Sequence, residues 1–181
     1  ILNHARKYVH IMSPYLILDS EMEYALKYAA KRGIDVKLIL PGIPDKKPAF
    51  ALAKSHYRNL LDAGVKIYEY TPGFVHAKVF VSDDCKAVVG TINLDYRSLY
   101  HHFECAAYLY EVPCIGEIED DFNNTLKQCH KITQKEKKKE KILNIIIILS
   151  LLFMLLSFSN IFNNFFNSFS INGSQSMSTI A

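Results

Sequence analysis

The sequence predicts an α/β fold in which a mixed β-sheet is covered by helices on both faces, an α/β/α sandwich. Three observations lead there. Short apolar runs of strand character alternate with longer segments of helical period over residues 1–133. Two further strand-like runs, Val75–Ser82 and Lys86–Gly90, flank a tight turn at Asp83-Asp84, which adds an antiparallel hairpin to the crossover-linked strands. The chain of 181 residues is also long enough to bury a core of ordinary size.

In chain order, Val9-His10-Ile11-Met12-Ser13 reads as a strand stopped by Pro14. Ser20-Glu21-Met22-Glu23 has the form of a capping box, opening a helix that runs to about Arg32 and stops at Gly33. Ile34 to Leu40 is a nearly continuous aliphatic run, as a buried strand requires. Pro41 to Lys47 is a loop. Pro48 to about Ala63 has apolar residues at helical spacing, with Gly64 as its stop. Val65 to Tyr70 is a strand, and Thr71-Pro72-Gly73 a turn. The hairpin follows, then a strand over Phe103–Tyr110 and a helical pattern from Val112 to about His130.

Beyond Thr133 the character changes, and 134–181 is expected to be a separate segment. Lys135 to Lys141 holds five lysines and two glutamates, a charge of +3 that equals the net charge of the whole chain. The rest is therefore close to neutral, which weighs against a broad nucleic-acid-binding surface. Ile142 to Phe158 is almost wholly apolar, slightly short of the ~20 residues that span a bilayer. Positive charge before such a run favours the cytoplasmic side of a membrane. The final stretch is rich in Asn, Ser and Phe, a low-complexity composition. The chain has no initiating Met and no leader, and Ile1 already sits in what reads as a helix running into a strand, so it is expected to begin inside a longer protein. Cys85, Cys105, Cys114 and Cys129 form no CxxC pair and no metal-ligand spacing, and read as reduced thiols.

The stretch richest in chemistry is His76-Ala77-Lys78-Val79-Phe80-Val81-Ser82-Asp83, followed by Gly90-Thr91-Ile92-Asn93. On an alternating strand His76, Lys78, Phe80 and Ser82 share one face. An imidazole can attack a phosphorus atom, and a neighbouring ammonium can neutralise phosphoryl oxygens. Asp83 falls on the opposite face at the strand end, where it is expected to anchor the motif. A nucleophilic histidine must be neutral, with its second ring nitrogen held by an acceptor. Glu104 is the candidate, because a carboxylate in an otherwise apolar strand needs a partner. Thr91 and Asn93 carry the donors for phosphate oxygens. His101 and His102 are adjacent, point to opposite faces of an extended chain and are read as ordinary surface residues. No metal and no cofactor are expected.

The pattern HxKxxxxD followed by GTxN resembles the phospholipase D superfamily. Gly33-Ile34-Asp35-Val36-Lys37-Leu38-Ile39-Leu40-Pro41, Leu60 to Tyr70, Gly90 to Ser98 and Phe103-Glu104 resemble its bacterial cardiolipin synthases, over roughly residues 1–133. The likeness is to the second, C-terminal half of an enzyme that normally carries two such motifs. It implies a phospholipase D-like sandwich with His76, Lys78, Asp83 and Glu104 as catalytic set, and Lys78, Thr91 and Asn93 as phosphate ligands. It also implies phosphatidyl transfer between two phosphatidylglycerol molecules through a phosphohistidine, at the cytoplasmic face of an anionic cell membrane. The partner would be the absent N-terminal half or a second copy, with no nucleic acid. Two alternatives stand beside it: a phospholipase D or dimeric single-motif phosphodiesterase or nuclease, and a non-catalytic, membrane-associated remnant.

Overall fold

The apolar positions of the first half sort into two faces with a strand's period of two. In the computed structural model, which describes residues 1–136 together with 145 and 150, strand β1 (Tyr8–Met12) sends Val9 and Ile11 to one side and Met12 to the other. Strand β3 (Asp35–Pro41) does likewise with Val36, Leu38 and Leu40 against Ile39. Both faces are therefore buried, as the unbroken aliphatic run predicted. The chain divides after Gln134, and the sheet with its helices belongs wholly to Ile1–Gln134.

Helix α1 (Ser20–Lys31) and helix α2 (Lys47–Asp62) cover one face. Their contacts follow the helical period: Met22, Ala25, Leu26 and Ala29 on α1, and Ala53, Tyr57 and Leu60 on α2. Helix α4 (Cys114–Leu126) covers the opposite face with Ile115, Ile118 and Phe122. Phe122 is fully buried and stacks on the ring of His10 at 4.7 Å. Truncating it to Ala should cost about 3–5 kcal/mol. The same histidine places Nδ1 2.9 Å from Glu119 of α4, so a polar contact and a ring contact together fix the helix on β1.

The main sheet has seven strands in the order β8-β6-β5-β1-β3-β4-β9. β1, β3 and β4 (Lys66–Tyr70) run parallel, joined through α1 and α2. β5 (Val79–Ser82), β6 (Lys86–Gly90), β8 (Ala106–Tyr110) and β9 (Cys129–Lys131) are antiparallel to their neighbours. A small second sheet pairs β2 (Leu16–Ile17) with β7 (Leu94–Asp95), which leads into the five-residue helix α3 (Tyr96–Tyr100).

Four boundaries differ from the sequence expectation. The cap of α1 is Asp19 rather than Ser20: its carboxylate accepts from the Met22 N–H at 2.7 Å. The motif strand begins at Val79, not Val75. β1 offers no partner above Met12, because Pro14 ends it, so the residues before Val79 run past their neighbour. The last strand of the hairpin sheet starts at Ala106 instead of Phe103. Finally, the helix expected to reach His130 stops at Leu126, and Cys129–Lys131 pairs with β4 instead. Among the described residues no helix is long and apolar enough to cross a membrane. The apolar run expected over 142–158 lies outside the described residues, apart from Ile145 and Ser150.

Candidate active site

One edge of the sheet gathers the carboxyl ends of β1 and β3 and the amino end of β5, since Met12 pairs with both Ile39 and Val79. His76 and Lys78 lie in the extended segment that enters β5 at this edge. The His76 ring is exposed, with the Phe74 ring tilted against it at a centroid distance of 5.8 Å. Lys78 donates from Nζ to the His76 carbonyl at 2.7 Å, which folds its ammonium back toward the histidine. Burial pulls the Lys78 ammonium below the ordinary lysine range, and the nearby Glu104 carboxylate works against that shift.

The second wall comes from the chain after β6. An added Cβ at Gly90 would lie 2.3 Å from the Cys105 carbonyl and 2.5 Å from Ala106 Cα, so only glycine lets β6 and β8 approach this closely. Immediately beyond, the Thr91 N–H donates to the Cys105 carbonyl (2.9 Å), and the Cys105 N–H donates to Thr91 Oγ1 (3.0 Å). Thr91 Oγ1 in turn donates to Glu104 Oε2. Hydrogen bonds from Thr91 and Ser98 hold the Glu104 carboxyl below its ordinary range; burial opposes them and His102 assists. Asn93 donates from Nδ2 to Ser98 Oγ at 3.1 Å, while its buried Oδ1 has no hydrogen-bond partner among the described residues.

Ser98 is itself buried and set by a cap: Asp95 accepts from the Ser98 N–H at 2.7 Å, opening α3. Ser13, buried at the end of β1, accepts from the Leu94 N–H at 3.0 Å and donates to the Tyr15 carbonyl at 2.8 Å. It thereby ties the Asn93 loop to the central strand.

Asp83 stands at the other end of β5. Its carboxylate accepts three backbone N–H groups, from Arg6 (2.8 Å), Lys7 (2.8 Å) and Tyr8 (3.0 Å). Burial disfavours its charge, yet the donors of Tyr8, Lys7 and Arg6, with Lys86 nearby, keep the carboxyl below its usual range. Asp83 and Asp84 both have positive φ, 56° and 58°, and the Cys85 N–H donates to the Ser82 carbonyl at 3.2 Å, closing the three-residue connection between the paired Ser82 and Lys86.

The structure thus gathers Lys78, Thr91, Asn93 and Glu104 near one strand edge, with His76 at its rim and Asp83 at the far end of the strand. Among the described residues no hydrogen bond joins Glu104 to the His76 ring. The Glu104 oxygens are taken up by Thr91 and by His102, whose Nδ1 lies 3.6 Å from Oε1. Sequence reasoning passed over His102 and Ser98. Both reach Glu104 through the turn of α3, a helix too short to show a period. Among the described residues no group of three or more His, Cys, Asp or Glu side chains is placed to hold a metal ion.

Comparison with known proteins follows the same lines. Residues 1–126 match the family model described as cardiolipin synthase, PLD-like domain. The chain is 70% identical over 141 residues to an uncharacterised protein of Streptococcus mutans, covering 76% of this chain and 31% of that one. It is 45% identical over 128 residues to cardiolipin synthase 2 of Bacillus anthracis, covering 71% of this chain and 25% of the relative. It therefore spans between a quarter and a third of the length of these curated relatives. Among solved structures, the phospholipase D family member Nuc from Salmonella typhimurium superposes with a TM-score of 0.65 at 18% identity, over 74% of this chain and 86% of that one. That likeness shows a shared α/β fold, and the family match, joined to the relatives, shows more: the chain belongs to the phospholipase D-like cardiolipin synthase family.

Proposed function

We propose that the chain carries one catalytic half of a phosphatidyl-transfer site, with His76 as nucleophile. A His76 ring nitrogen attacks the phosphorus of phosphatidylglycerol, and a phosphohistidine bond forms as the bond to the glycerol oxygen breaks. That oxygen takes a proton from a second histidine, supplied by another motif-bearing half or a second copy. The hydroxyl of a second phosphatidylglycerol then attacks the phosphohistidine and gives its proton to that second histidine, and the bond from phosphorus to nitrogen breaks, giving cardiolipin and free His76. Lys78, Thr91 and Asn93 stabilise the phosphoryl oxygens as charge builds on them. Glu104 acts on the histidine once substrate draws the two together, since catalytic hydrogen bonds are often long without substrate. We place the site at the cytoplasmic face of an anionic membrane, where the lysine-rich run would concentrate substrate at about 1 kcal/mol per basic residue near the surface.

The observation that carries this reading is the convergence of Lys78, Thr91, Asn93 and Glu104 at the edge where His76 stands exposed. The test is a phosphohistidine trap. Phosphatidylglycerol labelled with ³²P, quenched in alkali, should leave acid-labile label on His76 when a complementary motif-bearing half is supplied. Label that persists in His76→Ala would sink the assignment.

A further inference from the structure

Glu104 has a neighbour to which the transfer reading gives no task. Its Oε2 accepts the Thr91 hydroxyl, while its Oε1 faces Nδ1 of His102 at 3.6 Å. That is longer than a hydrogen bond, yet close enough for a ring N–H to orient a carboxylate. Thr91 and His102 thus take different oxygens of one carboxyl group.

The far nitrogen of the same ring decides where the ring proton sits. Arg97 Nη2 lies 2.9 Å from His102 Nε2. A guanidinium only donates, so Nε2 is the bare nitrogen, and the neutral ring carries its proton on Nδ1, facing Glu104. The other tautomer would set two donors against each other at Nε2 and a lone pair against the carboxylate at Nδ1. The backbone brings the pair together: the Arg97 carbonyl accepts the N–H groups of both His101 and His102 at 2.9 Å, in the turn that closes α3. Arg97 and His102 are both exposed, so neither is needed to fill the core.

A second charge pulls Glu104 the other way. Its carboxylate is near enough to the Lys78 ammonium to raise it against the effect of burial. A carboxylate closed onto Lys78 would neutralise the cation meant for phosphate and turn its oxygens from His76. In the structure Lys78 bonds the His76 carbonyl instead. We propose that His102, aimed by Arg97, is a positioning residue: its Nδ1–H keeps Glu104 Oε1 on the α3 side, off Lys78, until substrate draws that oxygen to the His76 ring. The proposal rests on the phosphatidyl-transfer reading, in which Glu104 acts on His76, and gives a task to a residue whose sequence context marks it as ordinary surface.

Two readouts test it, and the first needs no turnover. In the full chain of 181 residues, in mildly alkaline solution where free imidazoles are neutral, side-chain nitrogen NMR should show His102 protonated on Nδ1 and bare on Nε2. Loss of the signal in His102→Asn assigns it. Arg97→Leu should return the ring to a mixture of the two tautomers. The second readout is the rate of phosphohistidine formation with the complementary motif-bearing half. His102→Leu should slow it about tenfold, within the cost of a misplaced catalytic group, at an unchanged melting temperature. His102→Asn should restore most of the rate, because its amide N–H can stand where the ring N–H stood. A proton on Nε2 in the parent overturns the proposal. So does a parent rate in His102→Leu, or a His102→Asn as slow as His102→Leu. Those results leave the transfer reading standing. A parent chain that forms no phosphohistidine at all breaks the transfer reading, and the positioning role falls with it even where the tautomer is the expected one.

Discussion

Asp83 and Glu104 are both carboxylates held below their ordinary range, but by different means. Asp83 is fixed by three backbone N–H groups of β1 and its approach. Glu104 is fixed by side-chain hydroxyls, those of Thr91 and Ser98, with His102 beside it. Backbone donors cannot turn away, so Asp83 is committed to the fold. Hydroxyl rotors can exchange partners, so the contacts that take up the Glu104 oxygens can be given up to an incoming group. The hairpin thus has a closed end that fixes geometry and an open end available for chemistry.

The sharpest way to break this contrast is at the open end. His76→Ala should lower phosphatidyl transfer by about 10⁴ or more in the completed enzyme, with an unchanged melting temperature, because its ring is exposed. His101→Ala should keep most activity. Normal turnover in His76→Ala would leave the open end without a nucleophile. Glu104→Gln comes next. It should cost about 10²-fold in turnover, within the usual range for a group acting in proton transfer, while the thermal transition hardly moves. A large fall in stability with unchanged turnover would make Glu104 a second Asp83.

At the closed end the signs reverse. Asp83→Ala removes the acceptor of three N–H groups and places alanine at positive φ. Water can reach the freed donors of Arg6 and Lys7, so the loss should be about 3 kcal/mol in chemical denaturation. The smallest effect is one of pH. The Asp83 carboxyl is depressed from its ordinary value of 3.8, so its contribution is present above that value and is lost as pH falls through the folded one. The stability gap between the parent and Asp83→Asn should therefore be constant near neutrality and close only in acid, below about pH 4. A gap that closed near pH 7 would point to a histidine instead.

Much of this was legible beforehand, for identifiable reasons. The central strands carry unbroken aliphatic runs such as Val36 to Leu40, and α1 and α2 show one clean apolar stripe each, so local pattern and tertiary burial agree. The strand Cys129–Lys131 was hidden because it is short and follows a helical pattern from Ile115 through Phe122. Only its pairing with Tyr68–Tyr70 makes it a strand. In the site, the spacing of His76, Lys78 and Asp83 could be read directly. The contact of Thr91 with Glu104 could not, since it depends on the close approach of β6 and β8 at Gly90. The absent Glu104–His76 hydrogen bond has a similar origin. Periodicity placed both residues on strands, whereas each lies just before its strand begins.

The link between Asp83 and Arg6–Tyr8 also has a consequence in time. It joins groups 75 to 77 positions apart in the chain. At a synthesis rate of 5–20 residues per second, β1 waits roughly 4–15 s after it is made before the hairpin that caps it exists. During that interval the parallel unit β1-β3-β4 can close through nearer contacts, while the outer side of β1 stays unpaired. The edge beside the future β5–β6 hairpin is thus the part of the nascent molecule most open to wrong pairing, and Asp83 closes it.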